Sequence, residues 1–574
     1  MDNTSINTFL GLNLNETGST NLKLGESSKM VNFKISRDCK LEKMYGYINK
    51  YERTSKIRAM WFGMLGSSEV YVYVCGGKVY NGDTEIGSIT DDITRIFEFN
   101  KKLYFINGHE YKEWNGMTFK DVEGYIPLIK IATTPNGVGT DYEPINVLTG
   151  KKRQTFSADG ETKVFYLAET EVDSIDSVKV DGVETTVNKN LTNGTITFTT
   201  APTQGVDNIE VQWTKGSGQR ELVYQNHYFQ MYGLADDTRV FLYGNSEAKN
   251  RIYFSDLGNG IADVTYFPGN NFIDVGSSNM AVTDIQRQYD RLLVSKEDTT
   301  YYTTYEQITD STGESIVSFP MYPLNKSHGA KPYNQGQVLD NYVTTIDTSI
   351  VQWTNTESKD ERNAQIISQK VQTWLNEKDL SKAVTLDYQE DKEYWLAIGN
   401  EVLVYNYENG CYSLLNLNDQ ITVLISYKGV IYGGTENGKI IEFDKNATTY
   451  GGETIKAEWQ SGYYDFGIEE QRKTMRVLWI TLKPWFKTSL DINYISDRDS
   501  GSEAKTIEKR SVSYAHWNYA RFTYNTQRSV RPFRVKMKAK KFAFLKLILK
   551  NEVSDEKVTV NSIAIKKVYG GEVK

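Results

Sequence analysis

Four histidines, His109, His227, His328 and His516, are the side chains of this 574-residue chain best suited to acid–base work or metal binding near neutral pH. No two stand at metal-ligand spacing, and none belongs to a His-Glu-x-x-His helix. The chain has no phosphate loop ending in Gly-Lys-Ser/Thr and no Gly-x-Ser-x-Gly elbow. Gly137-Val138-Gly139, just after Pro135, reads as a turn. Glycoside hydrolysis needs two placed carboxylates, and nothing singles out a pair among 73 acidic residues. Asp497, Asp499 and Glu503 could crowd a calcium ion, but a solvated loop explains them as well. Cys39, Cys75 and Cys411 are odd in number and widely spaced, which suits free thiols in a reducing compartment. The expectation is a protein without a catalytic constellation, a cofactor or a bound metal.

The one concentrated charge feature is basic. Lys505, Lys509, Arg510, Arg521, Arg528, Arg531, Arg534, Lys536, Lys538, Lys540, Lys541, Lys546 and Lys550 fall in one stretch, with Glu508 the sole acid among them. Arg534-Val535-Lys536-Met537-Lys538-Ala539-Lys540 alternates, so on a strand its cations share one face. Tyr514, Trp517, Tyr519, Phe522 and Tyr524 lie just upstream. Arg521, Arg528, Arg531, Arg534, Lys536, Lys538, Lys540 and Lys541 are therefore the candidate contact residues. Three readings stay open: a solvated strand face, a dock for an acidic protein, or a contact with a nucleic-acid backbone. The net charge of −7 over the whole chain favours solubility and does not make the entire protein a nucleic-acid binder.

The elements that would carry these residues are strands. Tyr (39), Phe (23) and Trp (10) are abundant, and the 44 glycines fall between short β-rich runs. Val70-Tyr71-Val72-Tyr73-Val74 closes on Gly76-Gly77, and Leu103-Tyr104-Phe105-Ile106 closes on Asn107-Gly108. Similar meanders recur near 240–255, 291–302, 341–353, 393–406 and 429–444. A spacing of about 40 to 50 residues predicts a β-propeller of roughly six or seven blades. Its expected extent is 56–132 and 216–450. Residues 133–215, richer in Thr and Asp, predict a small β-sandwich inserted in a loop. Residues 1–55 form a leading segment, and 451–574 predict a C-terminal β-sandwich that carries the basic strand. Ala364, Ile367, Val371 and Trp374 predict a helix near 360–380, packed on the core. No apolar run is long enough for a membrane span, and no secretory signal is expected.

Three sets of residues carry a family resemblance. At the start stand Gly11-Leu12-Asn13, Leu24-Gly25-Glu26, Met30-Val31-Asn32 and Gly46-Tyr47. In the middle stand Arg251-Ile252-Tyr253-Phe254-Ser255-Asp256 and Tyr266-Phe267-Pro268, and near the end Val530-Arg531-Pro532-Phe533-Arg534-Val535-Lys536. With the strand pattern, the chain resembles the tail nozzle or tail hub proteins of short-tailed bacteriophages, including packaged-DNA stabilisation proteins. The resemblance implies a structural virion protein in a homohexameric ring, docked to an adaptor ring and to tail fibres or spikes. Double-stranded DNA would pass through its lumen without sequence specificity. It transfers no catalytic residue. Two other functions fit the same composition: a glycan-binding propeller module of a phage tail, and a polysaccharide-degrading propeller enzyme.

Overall fold

The computed structural model describes residues 2–15, 22–234, 236–309, 315–354, 363–485, 487–498, 505–510 and 530–573. The chain is all-β, as its aromatic and β-branched composition implies. Seven antiparallel four-stranded units succeed one another, the first five as separate sheets, the sixth continuous with a larger sheet and the seventh extended by a short hairpin. The first holds Ile57–Leu65, Ser68–Cys75, Lys78–Asn81 and Thr84–Ser88; the second holds Arg95–Phe99, Lys102–Ile106, Tyr111–Trp114 and Phe119–Asp121. The third opens with Tyr228–Leu234, the fourth with Val282–Gln288, the fifth with Gln337–Leu339 and the sixth with Val384–Tyr388. The seventh contains Ile421–Tyr427, Val430–Thr435, Lys439–Phe443 and, from far earlier in the chain, Tyr47–Glu52, with the short hairpin Thr449–Tyr450 and Glu453–Thr454 beyond it.

Glycine allows the tight turns. Gly76 and Gly77, both at positive φ, join Ser68–Cys75 directly to Lys78–Asn81. Gly108 has a second reason: a Cβ there would lie 2.1 Å from the His227 ring.

The opening strands pack in a closed circuit. The first sheet's opening strand touches the second's, the third's touches the fourth's, and contact continues through the fifth and sixth to the seventh. The seventh returns to the first. Between the second and third, Phe97 and Phe229 approach to 4.6 Å between ring centroids. The seams explain the abundance of tyrosine. At the seventh–first seam Phe62 packs on Tyr432 at 5.0 Å, and the Lys50 ammonium lies over Tyr71 and Tyr432. Each such aromatic pair contributes about 1 kcal/mol beyond its buried area.

Residues 128–214 build a separate unit between the second and third sheets. A six-stranded sheet centred on Lys151–Ala158 and Gly205–Thr214 faces a three-stranded one across Phe156, Phe165, Ile196, Val211 and Trp213. The unit's stem is held to the third sheet by Asn146, whose side-chain amide donates to the carbonyls of Tyr125 and Thr265.

Beyond the seventh sheet, Gln471–Leu482 and Thr559–Glu572 pair at the centre of one sheet. Ala457–Ser461, Lys487–Ser496 and Leu545–Asn551 form another, which continues into the sixth sheet through Val31 and Leu414. Met475, Leu478, Ile480, Ile492, Leu547 and Ile563 share the core between them. Strands from 2–43, expected as part of a leading segment, are built into this region. Asp2–Ile6 pairs with Thr559–Glu572, Phe33–Ile35 and Leu41–Lys43 join the same sheet, and Glu26–Val31 pairs with Ala457–Ser461.

The expected helix is shorter than its apolar spacing predicts. Ala364–Ile366 is the edge strand of the fifth sheet, where Ala364 stands opposite Trp353. Among the described residues there, Gln369–Val371 (a 3₁₀ turn) and Gln372–Asn376 form one short helical run and Leu380–Lys382 a further 3₁₀ turn. Pairing to a preformed sheet edge outweighs a weak helical preference there.

Candidate functional site

Two surfaces hold the side chains with chemical potential. The first is the end of the circuit where the opening strands begin. A cavity of about 350 Å³ lies there, lined by Lys56 and Arg58 ahead of and within the first sheet, Arg95 of the second, Tyr228 of the third, Gln335 ahead of the fifth, Lys382 ahead of the sixth and Thr422 of the seventh. A neighbouring cavity of about 390 Å³ shares Ile93, Tyr228 and Tyr333 with it and adds Asp92, His227, Lys249 and Glu297.

The charges around the first cavity are largely paired. Lys56 meets Glu436 at 2.9 Å, Arg58 meets Asp91 at 3.0 Å, and Lys382 meets Asp379 at 3.1 Å. Arg95 instead lies over the Tyr228 ring, 5.3 Å from its centroid, and Tyr228 stacks on Tyr333 at 5.5 Å.

A buried carboxyl sits within this end. Asp284, 1% exposed, accepts from the Gln286 side chain at 3.1 Å. Burial pushes it up to about 7, against the hydrogen bonds of Gln286 and of the Gly336 and Ile285 N–H groups. Its approach to Gly336 is so close that a Cβ there would meet Asp284 Oδ2 at 2.0 Å. Tyr243 and Tyr394 both feel its charge. Sequence reading passed over Asp284 and Arg95. The available signal for Asp284 was a carboxylate inside the run Val282-Thr283-Asp284-Ile285, all four of which are buried.

His109 and His227 come near each other, their rings 6.4 Å apart, and His109 Nε2 lies 3.1 Å from Asp92. Burial works to raise the Asp92 carboxyl, but hydrogen bonds from the Ile93 N–H and His109 hold it below its usual range. His328 Nδ1 lies 2.6 Å from Asp347, whose carboxylate also accepts from the Ser349 N–H. His516 is outside the described residues. Among the described residues, no group of three His, Cys, Asp or Glu side chains could hold a metal ion. Asp497 is occupied by Arg472 at 3.1 Å and by the N–H groups of Ala543 and Phe544; Asp499 and Glu503 are outside the described residues.

The second surface is the basic row. Arg531–Val535 pairs with Gln471–Leu482, and the strand breaks over 536–538 before Ala539–Phe542 resumes. Alternation persists through the break. Arg534, Lys536, Lys538 and Lys540 are exposed, whereas Val535, Met537 and Ala539 are buried. Lys541 is exposed too, and its N–H donates to Thr474 Oγ1. None of these five cations lies within ion-pair distance of a carboxylate among the described residues. Arg531 is described in its backbone alone, and Arg521 and Arg528 lie outside the described residues.

No protein-family model matches this sequence, and no curated protein matches it significantly. Among solved structures, the computationally designed Ika8 protein covers 70% of this chain and 99% of its own at 9% identity and a TM-score of 0.33. BamB from Moraxella catarrhalis covers 69% and 99% at 8% identity and a TM-score of 0.33. An exo-beta-1,3-galactanase from Phanerochaete chrysosporium covers 90% and 100% at 8% identity and a TM-score of 0.17. Likenesses this distant identify neither a family nor an activity.

Proposed function

We propose that this chain is a structural protein of a phage particle, a subunit of the tail nozzle or hub ring. In this reading the seven successive sheets are the blades of a β-propeller. Residues 128–214 are an inserted β-sandwich, and the two C-terminal sheets are a second sandwich. Six copies close a ring through heterologous contacts, docked to an adaptor ring above and to tail fibres outside. Double-stranded DNA is retained and then released through the ring.

The observation that carries the proposal is how the chain's two ends are tied. Asp2–Ile6 pairs with Thr559–Glu572, and Tyr47–Glu52 joins the seventh sheet beside Lys439–Phe443. A wall that bears a packed genome must resist being pulled open from its ends. Here the strand Thr559–Glu572 is held on one side by Gln471–Leu482 and on the other by Leu41–Lys43 and Asp2–Ile6, so it cannot be peeled without breaking both pairings. The cations from Arg534 to Lys541, unpaired among the described residues, supply a dock for a negatively charged partner, either an acidic protein face or a phosphate backbone.

The test is native mass spectrometry with negative-stain imaging of the purified chain, alone and with the adaptor protein of the same particle. A channel-bearing ring of six times the chain mass in either preparation is expected. A monomer in both defeats the ring.

A further inference from the structure

We propose that the cavity where the opening strands begin is a binding site for the carboxylate of an acidic sugar. This goes beyond the ring assembly and does not depend on it.

The argument rests on hydrogen-bond donors that lack acceptors. Lys56, Arg58 and Lys382 each have a carboxylate at about 3 Å, at Glu436, Asp91 and Asp379. Arg95 has none among the described residues; its single bond there is from Nη1 to the Thr94 carbonyl at 3.3 Å. Its guanidinium lies over the ring of Tyr228, and that ring is braced by Tyr333. A planar fork so held loses little freedom on binding a planar carboxylate.

Gln335 adds a second donor. Its side-chain Oε1 accepts the Thr385 N–H at 2.8 Å, which turns the amide so that Nε2 is the free end. Nε2 has no acceptor among the described residues. Tyr333 also lines the cavity; its hydroxyl has no hydrogen-bond partner among the described residues and feels the Glu297 carboxylate of the neighbouring cavity. Three unpartnered donors around one cavity call for an anion rich in acceptors.

The remaining wall favours a sugar over a bare anion. Ile93, 40% exposed at the rim, and the half-buried Val384 present an apolar side, with Ile57 and Ala383 buried behind it. Phosphate or acetate leaves that side wet, whereas a pyranose ring lays its C–H face against it. The volume of about 350 Å³ falls within the range of small-molecule sites.

The experiment is calorimetric titration of the full chain with glucuronate and a glucuronate-containing disaccharide. Glucose, acetate and inorganic phosphate serve as comparison probes. Glucuronate is expected to bind, with glucose and acetate each about tenfold weaker or worse. Arg95→Gln should lose about tenfold in affinity for glucuronate and little for glucose. Tyr333→Phe, which removes one hydroxyl and keeps the stack, should lose about threefold. Lys382→Gln should change affinity less than about twofold, because that cation is already paired. Equal binding of glucose, or an unchanged Arg95→Gln, overturns the carboxylate assignment. Phosphate or acetate binding as tightly as glucuronate overturns the sugar assignment. Absence of all binding by the wild-type chain overturns both. Ring assembly is read separately by native mass, so its failure cannot be mistaken for failure of the site.

Discussion

Lys439 stands opposite Glu52 in antiparallel register, although they lie far apart along the chain. Through that pairing the strand Tyr47–Glu52 enters a sheet whose other strands begin only at Ile421. Nearby, the Tyr47 ring stacks on Tyr450 at 5.0 Å, and its hydroxyl donates to Asp419 at 3.0 Å. Tyr47→Ala removes a fully buried ring at this closure. It should lower stability by about 3–5 kcal/mol in urea unfolding. Tyr47→Phe, which strips only the hydroxyl from the buried Asp419, should cost about 1–2 kcal/mol. Equal losses in the two variants would show that packing is not what holds the closing strand.

Asp284 makes stability depend on pH. Its folded value of about 7 lies above the ordinary carboxylate value, so between about 4 and 7 the folded chain holds a proton that the unfolded chain has released. Stability from this group is therefore greatest below about pH 4 and falls as pH rises to about 7, where the loss levels off. Asp284→Asn removes the titration. It should raise the melting temperature at pH 8 more than at pH 5, and a rise that is uniform across pH would sink the assignment.

The basic row predicts a salt dependence. Replacing Lys536, Lys538 and Lys540 with Glu leaves the buried Val535, Met537 and Ala539 in place, so folding should be unaffected. If the partner is nucleic acid, the slope of log affinity against log salt should shrink by about 3. If the partner is acidic protein, DNA retention is unchanged and adaptor docking is lost. A variant that changes neither leaves the row a solvated face.

In the inserted unit, Lys152 is 5% exposed and reaches Glu169 at 2.6 Å, while Glu169 also accepts from Trp213 Nε1 at 3.1 Å. Glu169→Ala strands a buried ammonium and an indole N–H together. The expected loss is about 3 kcal/mol, confined to amides of residues 128–214 in hydrogen exchange. Equal loss in the seven-sheet circuit would mean that the unit does not open by itself.

The strands were legible because their signal is local. Val70-Tyr71-Val72-Tyr73-Val74 before Gly76-Gly77, and the alternation around Lys536, are read within a few residues. What stayed hidden depends on distance along the chain. Nothing near Asp2–Ile6 announces that its neighbour is Thr559–Glu572, since a short strand fits any compatible edge. The same holds for the cavity: Arg95 and Gln335 look like ordinary surface residues until the sheets bring them together. Trp374 was read as helical from its spacing, but pairing of Ala364 with Trp353 decides the start of that segment.

The strand exchange between the chain's ends also sets an order of manufacture. On the ribosome, Asp2–Ile6 and Tyr47–Glu52 emerge long before their neighbours at Thr559–Glu572 and Lys439–Phe443. For most of synthesis those early strands carry unmet backbone hydrogen bonds, the state that chaperones capture and that stray edges exploit. A nascent chain cut short after the sixth sheet would leave both strands without these partners, two open edges instead of one closed seam.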